Sequence, residues 1–214
     1  MNQTNLISGP ANGGKRRDIF LWVTTKHASA VPPARVKVQE MIINQHQIIR
    51  RYTWGTQAPK YKNLVLDWNY TAIAIHHSGN KGMKKPVEIE SYHMNDQNGD
   101  DVGYHYLIHP EGKIYEGREI VYKGAHISLK NTGKIGILML GDYDEQWWDV
   151  DDELTEAHLS KLKSLMTTLK SLFPTIKTLG GHREFISKKN EGCPGNLLMN
   201  KMDNLRKEFQ LNAP

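Results

Sequence analysis

The sequence predicts an α/β protein in which a central mixed β-sheet is flanked by helices. The apolar runs in "YTAIAIHH", from Tyr70, and "KIGILMLG", from Lys134, are short and rich in β-branched residues, as is typical of buried strands. A leucine pattern at helical spacing between Glu153 and Phe173 predicts the clearest helix. The segment "GYHYLIHPEGKIYEGR" has two strand-like pieces around a Pro-Glu-Gly turn, which predicts a β-hairpin.

The N-terminal part differs in composition from the rest of the chain. Residues 1–33 are polar and interrupted by Gly and Pro, apart from the strand-like piece "DIFLWVTT". The segment "ARVKVQEMIINQHQIIRR" is compatible with one amphipathic helix or with a helix that runs into a strand. We therefore expect an N-terminal extension of unknown role over residues 1–45 and a main domain over residues 46–214.

The remaining elements follow from local signals. "VEIESYHMND" follows a proline and predicts a short helix that ends in the turn "NGDD". Asp151 or Asp152 can cap the leucine-rich helix, and Pro174 ends it. A short strand "IKTLG" leads to "GHREF" and "CPG", and "NLLMNKMDNLRKEF" predicts a last helix. His46 and His158 are expected on solvated helix faces.

Composition excludes several classes of protein. The chain has 214 residues and a formal net charge of +5, which favours anionic partners such as the cell envelope. Its apolar stretches are far shorter than the roughly 20 residues of a membrane-spanning helix, so no membrane insertion is expected. No recognition helix or RNA-binding signature is present, so no nucleic acid partner is expected. Cys193 is the only cysteine and forms no internal disulfide; it is a free thiol, a nucleophile or a metal ligand.

Several of the ten histidines lie where an active site would form. His76, His105, His126 and His182 are at or near predicted strand ends or in glycine-flanked loops, where side chains converge in open α/β sheets. His76, His182 and Cys193 would supply the three ligands of a catalytic zinc site. The helical zinc-protease, zinc-finger and deaminase motifs are absent from the sequence. A Cys/His nucleophile pair stays open as an alternative.

Several segments together resemble a known family, the zinc-dependent N-acetylmuramoyl-L-alanine amidases that include the peptidoglycan recognition proteins and the amidase lysozyme of T7-like phages. The similar segments are "IIRRYTWGTQAPK", "IAIHHSG", "DVGYHYLIHPEGKIYEGR", "GAH", "NTGKIGILMLGDYD", "GHRE" and "CPG", in that order between about Ile49 and Phe209. The resemblance implies the peptidoglycan recognition protein-like amidase fold and a Zn²⁺ cofactor. It also implies a peptidoglycan substrate, cleaved at the amide bond between N-acetylmuramic acid and L-alanine.

The resemblance also assigns roles to individual residues. It implies that His76, His182 and Cys193 are the zinc ligands and that Tyr104 is the active-site tyrosine. The candidate substrate-binding residues are His126, Asn131 and His77. Because side chains alternate along a strand, His77 is expected to point to the side opposite His76.

One catalytic position departs from the family pattern. Many relatives have Lys or Thr two residues before the last ligand, where this chain has Glu191. We expect either that Glu191 serves as a base or that Lys188 or Lys189, in a loop longer than that of most relatives, takes the vacant place. Tyr104, Glu191 and Lys189 are thus the candidate catalytic residues.

The resemblance leaves the biological role open. Some relatives bind peptidoglycan without cleaving it, so a non-catalytic recognition module is the alternative to an enzyme. No secretory signal is recognised, and we expect a protein made in the cytoplasm that acts at the cell wall or periplasm after release or delivery by another system. An endolysin, an injected antibacterial effector and a recycling enzyme all fit. We expect a monomer, with a cognate immunity or delivery protein as a candidate partner.

Overall fold

A mixed five-stranded sheet forms the centre of the protein. The computed structural model describes residues 31–79, 83–144, 152–186 and 192–214. The strands are β1 (Ala72–His77), β2 (Tyr106–Ile108), β3 (Ile114–Glu116), β4 (Lys134–Met139) and β5 (Thr178–Gly181). Their order in the sheet is β3-β2-β4-β1-β5; β3 is antiparallel to β2 and the other neighbouring strands are parallel. This arrangement confirms the predicted fold class.

The central strand β1 explains how the histidine pair is placed. Its neighbours on both sides are parallel, and both of its faces are covered, which accounts for its continuous apolar sequence. Ile73 and Ile75 pack into the main core, whereas Ala72 and Ala74 pack into a smaller cluster. Because side chains alternate along a strand, His76 lies on the same face of the sheet as the two alanines, and the next residue lies on the same face as the two isoleucines.

Helices cover the sheet. The main core joins the sheet to the first, fourth and last of the helices named in this paragraph. Among the described residues, no helix is long and apolar enough to cross a membrane. The helices are α1 (Pro33–His46), α2 (Arg51–Trp54), α3 (Pro86–Ser91), α4 (Glu156–Leu172), α5 (His182–Phe185) and α6 (Asn196–Phe209), with a 3₁₀ turn at Tyr61–Asn63 and a π-helical turn at Tyr92–Asp96.

Helix α1 packs as part of the main core. Ile42 and Ile43 are 0% and 4% exposed, and the helix contacts α4. The core therefore includes residues on the N-terminal side of the predicted domain boundary at residue 46. The separate N-terminal extension over residues 1–45 stays a prediction. The solvated position predicted for His46 is wrong, because its Nε2 lies 2.8 Å from the Thr168 hydroxyl in a buried contact.

Helix α4 begins later than the sequence predicts. Thr155 caps it by accepting a hydrogen bond from the backbone N–H of His158 at 3.1 Å. Asp152 instead accepts a hydrogen bond from the Asp142 N–H, and Asp151 lies outside the described residues. His158 is fully buried, with Nε2 2.8 Å from the Ile108 carbonyl oxygen, so the prediction of a solvated face was wrong.

Candidate metal centre

Three side chains meet at the carboxyl end of the sheet. His76 is the penultimate residue of β1, and His182 begins α5 directly after β5. Cys193 lies in the turn that precedes α6. One ligand atom from each residue lies within 4.8 Å of the other two. The structure therefore brings together the three residues that the sequence predicted as metal ligands.

The geometry of this cluster fits zinc. Cys193 Sγ lies 3.6 Å from His76 Nδ1. Nitrogen and sulfur ligands of a tetrahedral zinc, at about 2.0 and 2.3 Å from the ion, lie about 3.5 Å apart. The rings of His76 and His182 are 4.7 Å apart between centroids. Two imidazoles and a thiol form a donor set that zinc commonly takes in catalytic sites.

A tight turn fixes the position of Cys193. The Gly195 N–H donates to the Gly192 carbonyl at 2.7 Å, and the peptide bond before Pro194 is cis. Gly195 has φ +87°, and a Cβ there would lie 2.3 Å from a Tyr143 backbone atom, so only glycine fits. The Cys193 carbonyl accepts the Arg183 N–H at 3.0 Å, which ties the turn to the residue after His182.

His76 is buried and electrically neutral. Only 1% of it is exposed, and its Nε2 lies 3.0 Å from His126 Nδ1. Burial, followed by the nearby imidazoles of His126 and His182, holds the pKa of His76 well below its usual range. Burial and His105 likewise lower the pKa of His126. Both rings are therefore neutral at neutral pH, the form in which an imidazole binds a metal.

The predicted substrate-binding residues make contacts within the protein. Asn131 Oδ1 accepts the N–H groups of His126 and Ile127 at 2.8 and 2.7 Å, and so shapes their loop. His77 lies on the other face of β1, where its Nδ1 accepts the Tyr143 N–H at 3.2 Å. Its side chain is 8% exposed. The substrate-binding roles of His126, Asn131 and His77 stay predictions.

The candidate catalytic residues have different standing in the structure. The Tyr104 ring is half-buried, and its centroid lies 4.9 Å from that of the His76 ring. Tyr104 is therefore a neighbour of the candidate ligand cluster. The Arg118 N–H donates to the Tyr104 carbonyl at 2.8 Å and holds its backbone. Glu191, Lys188 and Lys189 lie outside the described residues, so their roles stay predictions.

A cavity beside Tyr104 was not predicted from the sequence. Its volume is about 350 Å³, and its walls include His93, Arg118, Lys123 and Asn131. The centroids of the His93 and Tyr104 rings are 5.3 Å apart. His93 Nδ1 accepts the Gly103 N–H at 2.9 Å. Burial, with a smaller contribution from Arg118, lowers the pKa of His93 to about 4. The only sequence signal for His93 was its membership of a predicted short helix.

Comparisons with known proteins agree with the fold. Residues 67–196 match a family model described as N-acetylmuramoyl-L-alanine amidase. Peptidoglycan-recognition protein SC2 of Drosophila melanogaster is 30% identical over 163 residues, which cover 72% of this chain and 84% of that protein.

Two solved structures extend the comparison. The N-acetylmuramoyl-L-alanine amidase LysC from Clostridium intestinale superposes with a TM-score of 0.61 at 25% identity, covering 77% of this chain and 98% of that one. The ectodomain complex of peptidoglycan recognition proteins LCa and LCx, solved with bound tracheal cytotoxin, gives a TM-score of 0.60 at 25% identity. That match covers 72% of this chain and 92% of the other.

Proposed function

The chain belongs to the N-acetylmuramoyl-L-alanine amidase family, and we propose that it is an active, zinc-dependent member that hydrolyses peptidoglycan between N-acetylmuramic acid and L-alanine. The observation that carries this proposal is the convergence of His76, His182 and Cys193 on one point. All three positions hold side chains that can bind zinc, and the 3.6 Å separation of sulfur and nitrogen suits a tetrahedral ion.

The division of work between the metal and the protein follows from these contacts. When bound, zinc supplies Lewis-acid activation of water and of the scissile carbonyl. His76, His182 and the Cys193 thiolate would hold the ion at the end of the sheet. Burial of His76 keeps bulk water away from one side of the site.

Tyr104 is proposed to stabilise the charge that develops on the carbonyl oxygen. Its ring packs against the ring of His76, one of the three candidate ligands. A hydrogen-bond donor directed at this oxygen lowers the barrier to hydrolysis. The amine of the departing L-alanine also needs a proton, and Glu191 and Lys189 remain the candidates that we propose for proton transfer.

The cavity beside Tyr104 is proposed to hold the peptide part of the substrate. Its wall residue His93 packs against the ring of Tyr104, which in turn packs against the ring of His76. The structural relative with bound tracheal cytotoxin shows a ligand on a protein of this fold. Its volume of about 350 Å³ lies within the range of pockets that bind small ligands.

A recognition module without activity is the second candidate function. It is favoured by the names of the curated relatives, which are peptidoglycan recognition proteins. The two functions differ in their dependence on the metal, because binding alone needs no activated water. The complete ligand set favours the enzyme.

The biological setting is proposed from the substrate and from the charge of the chain. A peptidoglycan amidase acts at the cell wall or in the periplasm, and the net charge of +5 suits an anionic envelope. We propose a bacteriolytic role, as an endolysin or as an antibacterial effector delivered by another system, acting as a monomer. An effector of this kind would have a cognate immunity protein, and the genes that flank its own would distinguish the two roles.

The proposed function is tested by comparing neighbouring histidines. The variants His76→Ala and Cys193→Ser should bind zinc at least about 100-fold more weakly and should lose muropeptide cleavage. His77→Ala is the matched comparison for zinc binding, since its side chain lies on the opposite face of β1, and it should bind zinc as the wild type does. Full cleavage by metal-free Cys193→Ser would refute a zinc mechanism.

A further inference from the structure

The two ring nitrogens of His76 have different neighbours. Nδ1 lies 3.6 Å from Cys193 Sγ, whereas Nε2 lies 3.0 Å from His126 Nδ1. A metal that is also bound by Cys193 must take the lone pair of Nδ1. In a neutral imidazole the single proton is then on Nε2, and among the described residues His126 Nδ1 is the acceptor that lies within hydrogen-bonding distance of it.

This arrangement dictates the protonation of His126. Its Nδ1 must be unprotonated to accept the hydrogen bond, so its own proton is on Nε2. The Lys134 carbonyl oxygen lies 3.4 Å from that Nε2 and is an acceptor for it. The opposite orientation, in which His126 donates to His76, would place the His76 proton on Nδ1 and block the metal position.

The neighbouring His105 is committed elsewhere. Its Nδ1 accepts the Gly136 N–H at 3.0 Å, so its proton is on Nε2, which lies 3.0 Å from the Tyr122 carbonyl oxygen. His105 therefore does not compete for His76 or His126. Each ring in the group has one donor and one acceptor, and each is matched to a partner of the complementary kind.

The His126 ring is also held mechanically. A Cβ added to Gly124 or Gly136 would lie 2.5 Å from His126 Cδ2, so the ring occupies a slot that two glycines leave open. Asn131 Oδ1 accepts the backbone N–H of His126 and so holds its backbone in place. A ring held in this way has a set position for its Nδ1.

We propose that His126 is a positioning residue that keeps His76 in the tautomer able to bind zinc through Nδ1. This inference rests on the proposed zinc function and gives His126 a role other than lining the substrate groove. Partners of metal-bound histidines commonly change metal affinity by about 10- to 100-fold when they are removed. A neutral imidazole performs this task without adding a buried charge beside the thiolate.

The first test measures zinc affinity in two near-isosteric variants. His126→Asn keeps an acceptor oxygen close to the position of Nδ1, whereas His126→Leu has a similar volume and no acceptor. Competition with a chromophoric chelator should show zinc binding about 10- to 100-fold weaker in His126→Leu and within about fivefold of the wild type in His126→Asn. Equal affinities in the wild type and both variants, or equal losses in both variants, would overturn the inference.

The second test uses the wild-type protein and so does not depend on the variants folding. Long-range ¹H–¹⁵N correlation spectra of the zinc-loaded protein should show protonated Nε2 and metal-bound Nδ1 in His76, and protonated Nε2 in His126. A scalar coupling across the hydrogen bond should join His76 Nε2 to His126 Nδ1. A proton on His126 Nδ1 would overturn the inference.

The two proposals can fail separately. A wild-type protein that binds no zinc would overturn both the proposed function and this inference. A wild type that binds zinc and cleaves muropeptide, with a His126 tautomer opposite to the expected one, would overturn the inference alone.

Discussion

Replacing Gly136 by alanine should disturb the candidate metal centre, although Gly136 is not one of the three candidate ligands. Gly136 lies in β4, beside the His126 ring. A Cβ at this position would lie 2.5 Å from His126 Cδ2 and 2.6 Å from its Cγ. Carbon atoms in contact are normally about 3.5 Å or more apart, so the ring would have to move by about 1 Å.

The size of the effect follows from this displacement. The His76–His126 nitrogen separation of 3.0 Å would grow to as much as about 4 Å, outside hydrogen-bonding range. Overpacking of this kind costs about 1–3 kcal/mol of unfolding free energy. For a chain of this size that corresponds to a Tm lower by about 2–12 °C. Loss of the hydrogen bond should weaken zinc binding by about 10- to 100-fold.

A double-mutant cycle separates the steric cause from others. Thermal unfolding and zinc titration of Gly136→Ala are compared in the wild-type and His126→Ala backgrounds. Because the smaller side chain removes the clash, Gly136→Ala should have little effect on Tm in the His126→Ala background. An equal loss of Tm in the two backgrounds would refute the reasoning.

Three other variants test separate parts of the structure. Tyr104→Phe should keep the zinc affinity of the wild type and lower kcat for muropeptide hydrolysis by about 100-fold; an unchanged kcat would exclude the proposed hydrogen bond. Burial lowers the pKa of His158 from 6.5 to about 4, so the folded state favours the neutral ring. The contribution of this preference to the unfolding free energy is complete above pH 6.5 and is lost as the pH falls through 4. Urea unfolding should show this loss, up to about 3 kcal/mol, and His158→Gln should reduce the pH dependence; identical pH profiles would contradict it. Glu90→Gln should lower the unfolding free energy by about 3–5 kcal/mol, because it leaves the buried Arg51 without its nearest carboxylate. The control Glu111→Gln, at an exposed ion pair, should not change Tm, and equal Tm values for the two variants would refute the argument.

The sheet and the three candidate metal ligands that the structure brings together were predictable because each has a recognisable signal in its own segment of the sequence. Strands β1 and β4 are buried on both faces, so their sequences are continuously apolar and unlike those of the surrounding loops. His76 and His182 lie at the ends of neighbouring parallel strands, which the fold brings together. Cys193 was predicted as the third ligand because it is the only cysteine in the sequence and a thiolate is a common zinc ligand. The resemblance to a known family supported the same three positions.

The buried histidines were not predictable from the same signals. His46 and His158 lie on helices, where a polar residue normally faces water. Each is buried because a distant part of the chain supplies a partner: Thr168 for the former, and Ile108 and Tyr143 for the latter. No pattern along the sequence records a contact between residues so far apart.

The environment of the site was missed for the same reason. His76 and His126 are separated by 50 positions, and their hydrogen bond depends on the packing of the His126 ring against glycines. His93 reaches Tyr104 from the π-helical turn at Tyr92–Asp96. Sequence reasoning identified candidate residues for the chemistry, whereas their orientation depends on tertiary contacts.

The central claim is tested most directly by the products formed from purified peptidoglycan. The zinc-loaded protein should release stem peptides that begin with L-alanine and leave the glycan chains intact, as identified by mass spectrometry. Chelation should abolish the release, and added zinc should restore it. Release of new reducing sugar ends, or binding of peptidoglycan without cleavage by the zinc-loaded protein, would contradict the account.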